Sequence, residues 1–306
     1  MHVTLCMVVL NEAHNLPDCL GPIADLFDSI LIADTGSTDG TPELLKARWG
    51  IEALPRQLMA EECFSLAPLR NELLENVVTP WALRLDADER LDRDAVRRMI
   101  ESEAPSGPAG YFVPWLTEIA GTTFEDYKLV LARREVRDSG LVHDVLQTDM
   151  RQRGLKAGWY PDLPVRHFPD HSRLAAKAER YRQRLECALG KAPQWYRYHW
   201  FLGYNRFRAG DYSAARHYLD IVCRALPGNF PVECLNSHMV LAEIEARTGN
   251  AERIRELIES ARLFFAENRE DFELAVNFRL QRWFQAAEVS LALGNLKEIR
   301  AYDFMS

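Results

Sequence analysis

Three short apolar runs in the first part of the chain each stop at an acidic or glycine-bearing turn. They are residues 3–10 (VTLCMVVL), 29–33 (SILIA) and 81–85 (WALRL). The first is apolar almost throughout, as a strand buried on both faces of a parallel sheet must be. Helical patterns separate the runs. Asn15 opens one that reaches about Phe27, with Leu16, Leu20, Ile23 and Phe27 on one stripe. Thr41-Pro42-Glu43 opens a second, with proline at the first helical position. Residues 68–76 and 92–101 also read as helical, and 51–54 as a further short strand. Strands alternating with helices predict an α/β domain around a mostly parallel sheet. In such open sheets ligands bind at the carboxyl edge of the strands.

The turns carry residues suited to that edge. Asp34, followed by Thr-Gly-Ser-Thr-Asp-Gly, is placed to accept hydrogen bonds from a base or ribose, and glycines between 36 and 40 let backbone approach a ligand closely. Residues 79–91 read TPWALRLDADERL. Two aspartates one residue apart at a strand end, Asp86 and Asp88, can reach a hard divalent cation, which in turn bridges a diphosphate. The plainer alternatives are a polar turn at Asp34 and aspartates that only cap the helix at 92–101. Neither a G-x-G-x-x-G fingerprint nor a P-loop G-K-[ST] is present.

Four segments in order, VTLCMVVLNEAHNLPDCL, DSILIADTGSTDGT, FSLAPLRNELL and WALRLDADERL, resemble the N-terminal half of a family 2 glycosyltransferase of GT-A fold. The resemblance covers roughly residues 1–170. It implies that the loop after the first strand (Leu10, Asn11, Glu12), together with Asp34, Gly36 and Ser37, holds a nucleotide. Arg70 then lies near the base or diphosphate. Asp86-Ala87-Asp88 forms the DxD motif, with Asp88 the direct metal ligand and Asp86 on the ribose or a metal-bound water. His143-Asp144 looks like the family's third acidic motif, where His-Glu is usual; Asp is one methylene shorter. An inverting displacement needs a general base, assigned to Asp144, with His143 orienting it or touching the acceptor. His167 is expected as a further metal ligand by the same resemblance. Hard oxygen ligands imply Mn²⁺ or Mg²⁺.

Past Trp195 the strand patterns give way to helix periods. Trp200, Gly203, Tyr204, the Ala209-Gly210-Asp211-Tyr212 turn and Ala215 resemble one tetratricopeptide (TPR) repeat, and the turn recurs at Gly249 and Gly294, 39 and 45 residues further on. Both spacings exceed the ~34-residue repeat, so degenerate helical hairpins are expected. The predicted organisation is a catalytic domain over 1–170 and an all-α TPR-like domain over 171–306. The second domain would bind peptides, build a homodimer or brace the first. Arg173, Lys177, Arg180 and Arg184 share one helix face, either solvated or meeting an anionic acceptor or membrane surface.

A net charge of −8 argues against a general nucleic-acid-binding surface. Apolar runs fall short of the ~20 residues of a membrane span, so membrane contact is expected to be peripheral at most. Six scattered cysteines without C-x-x-C read as reduced thiols of a cytoplasmic protein. The function expected is a metal-dependent, inverting transfer from a nucleotide sugar, a UDP-sugar, to a hydroxyl or thiol on a glycan, peptide or small molecule. A nucleotidyltransferase and a non-catalytic TPR-type scaffold are the alternatives. The first lacks its glycine-rich basic loop after strand one. The second leaves the acidic motifs unexplained.

Overall fold

The computed structural model describes residues 1–56, 65–103, 106–119, 121–143, 145–170, 174–276 and 279–302. The chain divides into two compact units, Met1–Ala175 and Ala176–Met305.

The first unit is built on one mixed sheet. Strands β1 (Val3–Val9), β2 (Ser29–Asp34), β3 (Leu54–Pro55) and β4 (Trp81–Arg84) are parallel neighbours in the order β3-β2-β1-β4. The sheet continues antiparallel through β7 (Thr122–Arg133) and β6 (Gly110–Ile119), then β9 (Val165–His167) and β5 (Glu89–Leu91); β8 (Ala157–Trp159) pairs with β6. Helices α1 (Leu16–Leu20), α2 (Thr41–Trp49), α3 (Ala67–Glu75), α4 (Arg93–Glu101) and α5 (Gln147–Gln152) complete the unit. This is the mostly parallel, GT-A-like sheet expected: four parallel strands are joined to a mixed half in which β6 runs antiparallel to β7 but parallel to β8 and β9.

Strand β1 explains the architecture. Val3, Leu5, Met7 and Val9 are buried with Leu16, Leu20 and Ile23 on one face, while Cys6 packs with Leu74, Val77 and Ala82 on the other. Each such side chain, fully buried, stabilises the fold by about 1.5–3 kcal/mol.

Three local readings need correction. The helix from Asn15 stops at Leu20, and a 3-10 turn Ala24–Leu26 follows. Pro22 lacks the N–H that would continue the ladder, yet Leu16, Leu20 and Ile23 stay fully buried. Asn15 does not cap it; its amide donates to Glu12 Oε2 at 2.8 Å. Gly40, not Thr41, sits at the cap of α2. Asp92 caps α4 by accepting from Ala95 N, so Asp86 and Asp88 are not needed for that task.

The second unit is helical: α6 (Leu174–Lys191), α7 (Tyr196–Arg208), α8 (Tyr212–Ala225), α9 (Pro231–Thr248), α10 (Ala251–Glu267), α11 (Phe272–Val276) and α12 (Arg279–Ala292). Gly210, Gly249 and Gly294 close α7, α9 and α12 with φ of 79°, 76° and 72°, a left-handed turn that glycine adopts freely. The TPR-like hairpin α7–α8 depends on Gly203. A Cβ there would lie 2.6 Å from Leu219 Cγ, so the absent side chain sets the helix separation. Among the described residues no helix is long and apolar enough to cross a membrane. Cys6, Cys19, Cys223 and Cys234 are free and buried, but Cys187 is disulfide-bonded, so the expectation of reduced thiols throughout fails there. Cys63 and Arg173 lie outside the described residues, and so do the side chains of Lys177 and Arg180.

Candidate active site

The turns after β1 and β2 brace one another. Asn11 takes the left-handed conformation (φ 57°), which asparagine tolerates better than most residues. Its N–H donates to Ser37 Oγ at 2.8 Å, and its side-chain oxygen accepts from Thr38 N at 2.8 Å. Glu12 N donates to Thr41 Oγ1 and Ala13 N to Asp39 Oδ2. Asp34 ends β2 and is buried. Its Oδ1 accepts from Gly36 N and Ser37 N, both at 2.9 Å, whereas Oδ2 is buried with no hydrogen-bond partner. A buried acceptor without a donor is costly and calls for explanation. Leu10, beside it, exposes 48% of its surface.

The acidic turn after β4 is held from beneath by Glu89, which is fully buried. Glu89 Oε2 accepts from Asp86 N at 2.9 Å, and Oε1 accepts from Trp115 Nε1 at 2.8 Å and from Lys128 Nζ at 2.6 Å. Lys128 also donates to Asp86 Oδ2 at 2.8 Å, and Arg70 Nη2 lies 3.5 Å from Asp86 Oδ1. Lys128 above all, with Arg70 behind it, holds the Asp86 carboxyl well below the usual carboxylate range. Burial works to lower the Lys128 ammonium, but Asp86 and Glu89 outweigh it and raise its pKa.

Asp88 and His167 are brought together by backbone pairing. In the β5–β9 register Glu89 faces His167, and Phe168 N donates to Asp88 O at 2.9 Å. Asp88 Oδ2 then stands 3.4 Å from His167 Nε2. The imidazole stacks on Trp115, centroids 4.7 Å apart, and its Nδ1 lies 3.3 Å from Thr117 Oγ1. Among the described residues no three His, Cys, Asp or Glu side chains converge as a ready-made metal cluster. The close pair is Asp88–His167, while Asp86 is turned to Lys128 and Arg70.

On the other side of β4, Arg84 pairs with buried Asp138. Asn71 bonds both the N–H and the carbonyl of Asp138, and Ser65 Oγ donates to Gly140 O. These contacts fix the start of the loop that carries His143. His143 is exposed, with left-handed backbone at φ 51°. Asp144 lies outside the described residues.

The match to known proteins follows this layout. The model of the family described as glycosyl transferase family 2 matches residues 4–162, slightly more than half of the chain, and takes in every site residue above except Trp-stacked His167 and its neighbour Phe168. The chain belongs to glycosyl transferase family 2. A TPR repeat-containing protein of Synechococcus elongatus is 27% identical over 227 residues, which cover 71% of this chain and 55% of that one. This glycosyl transferase family 2 chain therefore spans about half the length of that relative. Glycosyltransferase SunS of Bacillus phage SPbeta is 21% identical over 358 residues, covering 98% of this chain and 83% of its own. Among solved structures, S. aureus TarS 1–349 in complex with UDP-GlcNAc is similar at a TM-score of 0.48 and 12% identity, over 86% of this chain and 92% of that one.

Sequence reading missed four members of the site: Glu89, Trp115, Thr117 and Lys128. Glu89 stood in the quoted motif, and its spacing of three from Asp86 was the one local signal. Nothing local connects Trp115, Thr117 or Lys128 to the motif, because sheet pairing brings them there.

Proposed function

We propose that the chain is a metal-dependent, inverting glycosyltransferase that takes a UDP-sugar and transfers the sugar to a hydroxyl or thiol on a glycan, peptide or small molecule. The supporting observation is the unpartnered Asp34 Oδ2 at the same sheet edge as the Asp88–His167 pair. A uracil ring presents an imide N–H that such a carboxylate oxygen accepts, and exposed Leu10 offers an apolar surface beside it. Hydrogen bonds from Asn11 N to Ser37 Oγ, Glu12 N to Thr41 Oγ1 and Ser37 N to Asp34 Oδ1 tie the two turns together, which supports a fixed arrangement of these residues.

Asp88 and His167 are assigned as the cation's protein ligands. Two neighbouring ligands of a hard cation, each at roughly 2.1 Å, sit about 3 Å apart, and Oδ2 and Nε2 are 3.4 Å apart. When Nδ1 carries its proton toward Thr117, Nε2 keeps its lone pair on the Asp88 side. One carboxylate and one imidazole suit Mn²⁺ better than Mg²⁺. When bound, the cation neutralises charge on the departing diphosphate. Asp86, with Ala87 beside it, is assigned to the ribose or to a water on the cation, since Lys128 and Arg70 already balance its charge.

Transfer is then a single displacement. The acceptor oxygen or sulfur gives its proton to the Asp144 carboxylate, bonds to the anomeric carbon, and the bond to UDP breaks with inversion. Left-handed backbone at His143 is the kind of local strain that clusters at functional turns, and it sits next to the assigned base. Calorimetry with UDP and MnCl₂ tests the reading: the parent binds UDP tightly only with the metal. Equal binding with and without Mn²⁺ sinks it, and a panel of nucleotide sugars scored for metal-dependent hydrolysis then names the donor.

A further inference from the structure

In the half of the sheet that carries Asp88 and His167, register sets which side chains share a face. Thr117 of β6 lies opposite His167 of β9, and Trp115 stands two residues before Thr117 on the same face. Glu89 of β5 lies opposite His167 from the other side. Backbone pairing therefore fixes where the His167 Cβ stands. It does not fix the plane of the imidazole, because the second side-chain torsion of histidine has a broad, two-fold profile.

Two contacts take up that freedom. The imidazole stacks on the Trp115 indole, with 4.7 Å between centroids and 19° between planes. Its Nδ1 lies 3.3 Å from Thr117 Oγ1, at the long end of hydrogen bonding. The two contacts divide the task. A stack sets the plane but is indifferent to a half-turn of the ring. The Thr117 contact breaks that tie and leaves Nε2 toward Asp88 Oδ2, 3.4 Å away. The indole is itself held. Its Nε1 donates to Glu89 Oε1 at 2.8 Å, Lys128 Nζ lies 5.7 Å from its ring centroid, and Trp115 packs against the main core of the unit.

Given Asp88 and His167 as the cation's ligands, the reading on which this rests, we propose that Trp115 is a positioning residue for the cation. By fixing the plane of the imidazole it makes the site favour Mn²⁺ over Mg²⁺. The Nε2 lone pair lies in the ring plane, so the plane decides whether that nitrogen can reach an ion beside Asp88. Mg²⁺ is bound by one or two carboxylates with phosphate oxygens and retained waters. Asp88 and a diphosphate supply that set without the imidazole. An imidazole nitrogen suits transition-metal ions. It contributes fully only where it is already aimed, since a ring free to turn must be ordered when the ion binds. Losing Trp115 therefore weakens the site for Mn²⁺ and leaves it unchanged for Mg²⁺.

The test is calorimetry of UDP on the whole chain without metal, with MgCl₂ and with MnCl₂, and it needs no turnover. The parent should bind UDP more tightly with Mn²⁺ than with Mg²⁺. Trp115→Leu should lose at least about tenfold of the Mn²⁺-supported affinity, as loss of a group that orients a metal ligand does. Its Mg²⁺-supported and metal-free binding should match the parent, whereas a damaged fold lowers all three. Trp115→Phe keeps a ring packed on the core and should restore most of the Mn²⁺ preference. If Trp115→Leu does not fold, Trp115→Met, which fills the space with a flexible chain, is judged by the same criteria. A folded Leu or Met variant with the parent's ion preference overturns the proposal, and so does a Phe variant as indifferent to the ion as Leu. A parent that needs metal but treats Mn²⁺ and Mg²⁺ alike overturns the role of Trp115 alone. A parent that binds UDP equally with and without metal removes the ligand assignment as well.

Discussion

The buried carboxylate of Glu89 gives the sharpest test of how the acidic turn is held. Its two oxygens accept three hydrogen bonds, from Asp86 N, Trp115 Nε1 and Lys128 Nζ. Removing one partner of a buried, hydrogen-bonded ion pair costs about 3–5 kcal/mol. Lys128 keeps Asp86 as a second partner and its side chain is 27% exposed, so the lower end applies, about 3 kcal/mol for Glu89→Ala. Glu89→Gln is the informative variant. Its single amide oxygen can replace Oε1, which serves Trp115 and Lys128. Its nitrogen then points at Asp86 N, donor against donor. That leaves a buried N–H unsatisfied, at about 1–3 kcal/mol. The assay is hydrogen exchange of the β5–β9 amides, which reads local opening without assuming that both units unfold together. At ~1.4 kcal/mol per tenfold, protection there should fall about a hundredfold in Glu89→Ala and about tenfold in Glu89→Gln. Mn²⁺-dependent UDP binding should weaken by roughly 10–100-fold, the usual effect of removing the support behind a metal ligand. If exchange in Glu89→Ala stays within about 0.5 kcal/mol of the parent, the network does not hold the turn and the reasoning fails.

Other outcomes follow from the same geometry. Asp88→Ala and His167→Ala should each abolish the metal-dependent part of UDP binding in calorimetry while leaving the melting temperature nearly unchanged; persistence of that part in either variant removes the residue from the ligand set. Asp144→Asn should bind UDP and Mn²⁺ normally and lose transfer, and transfer at the parent rate would reassign the base. His238 in α9 has its pKa pushed down to about 4 by burial. Its unfolded form takes up a proton near pH 6.5 while the folded form stays neutral. Stability of the helical unit is therefore full above that value and declines as pH falls toward 4, by roughly 3 kcal/mol in all. Urea melts between pH 7 and 4 should show this slope in the parent and a flatter one in His238→Gln.

What was legible in the sequence was the part governed by local pattern. Strand β1 read as buried on both faces because its apolar run has no alternation, and it is so buried. Gly210, Gly249 and Gly294 announced the helix ends because each needs a left-handed backbone. The long second half of the sheet was less legible. β5 and β9 are three residues each, with Glu89, Arg90, Arg166 and His167 among them. No two-residue period can emerge from so short and charged a segment, so strand β5 went unseen. Yet that pairing is what sets Asp88 beside His167. The motif residues themselves could be found in the chain, because a strand end followed by carboxylates is a local signature. The groups that balance their charge could not. Lys128 lies 42 residues from Asp86 in sequence. Its placement depends on β7 pairing with β4 and on the lengthened β6–β7 hairpin. Charge in a site of this kind is therefore set by register rather than by motif. A one-residue slip of β7 would turn Lys128 to the other face of the sheet and leave the same DADE sequence with Asp86 deprived of its nearest cation.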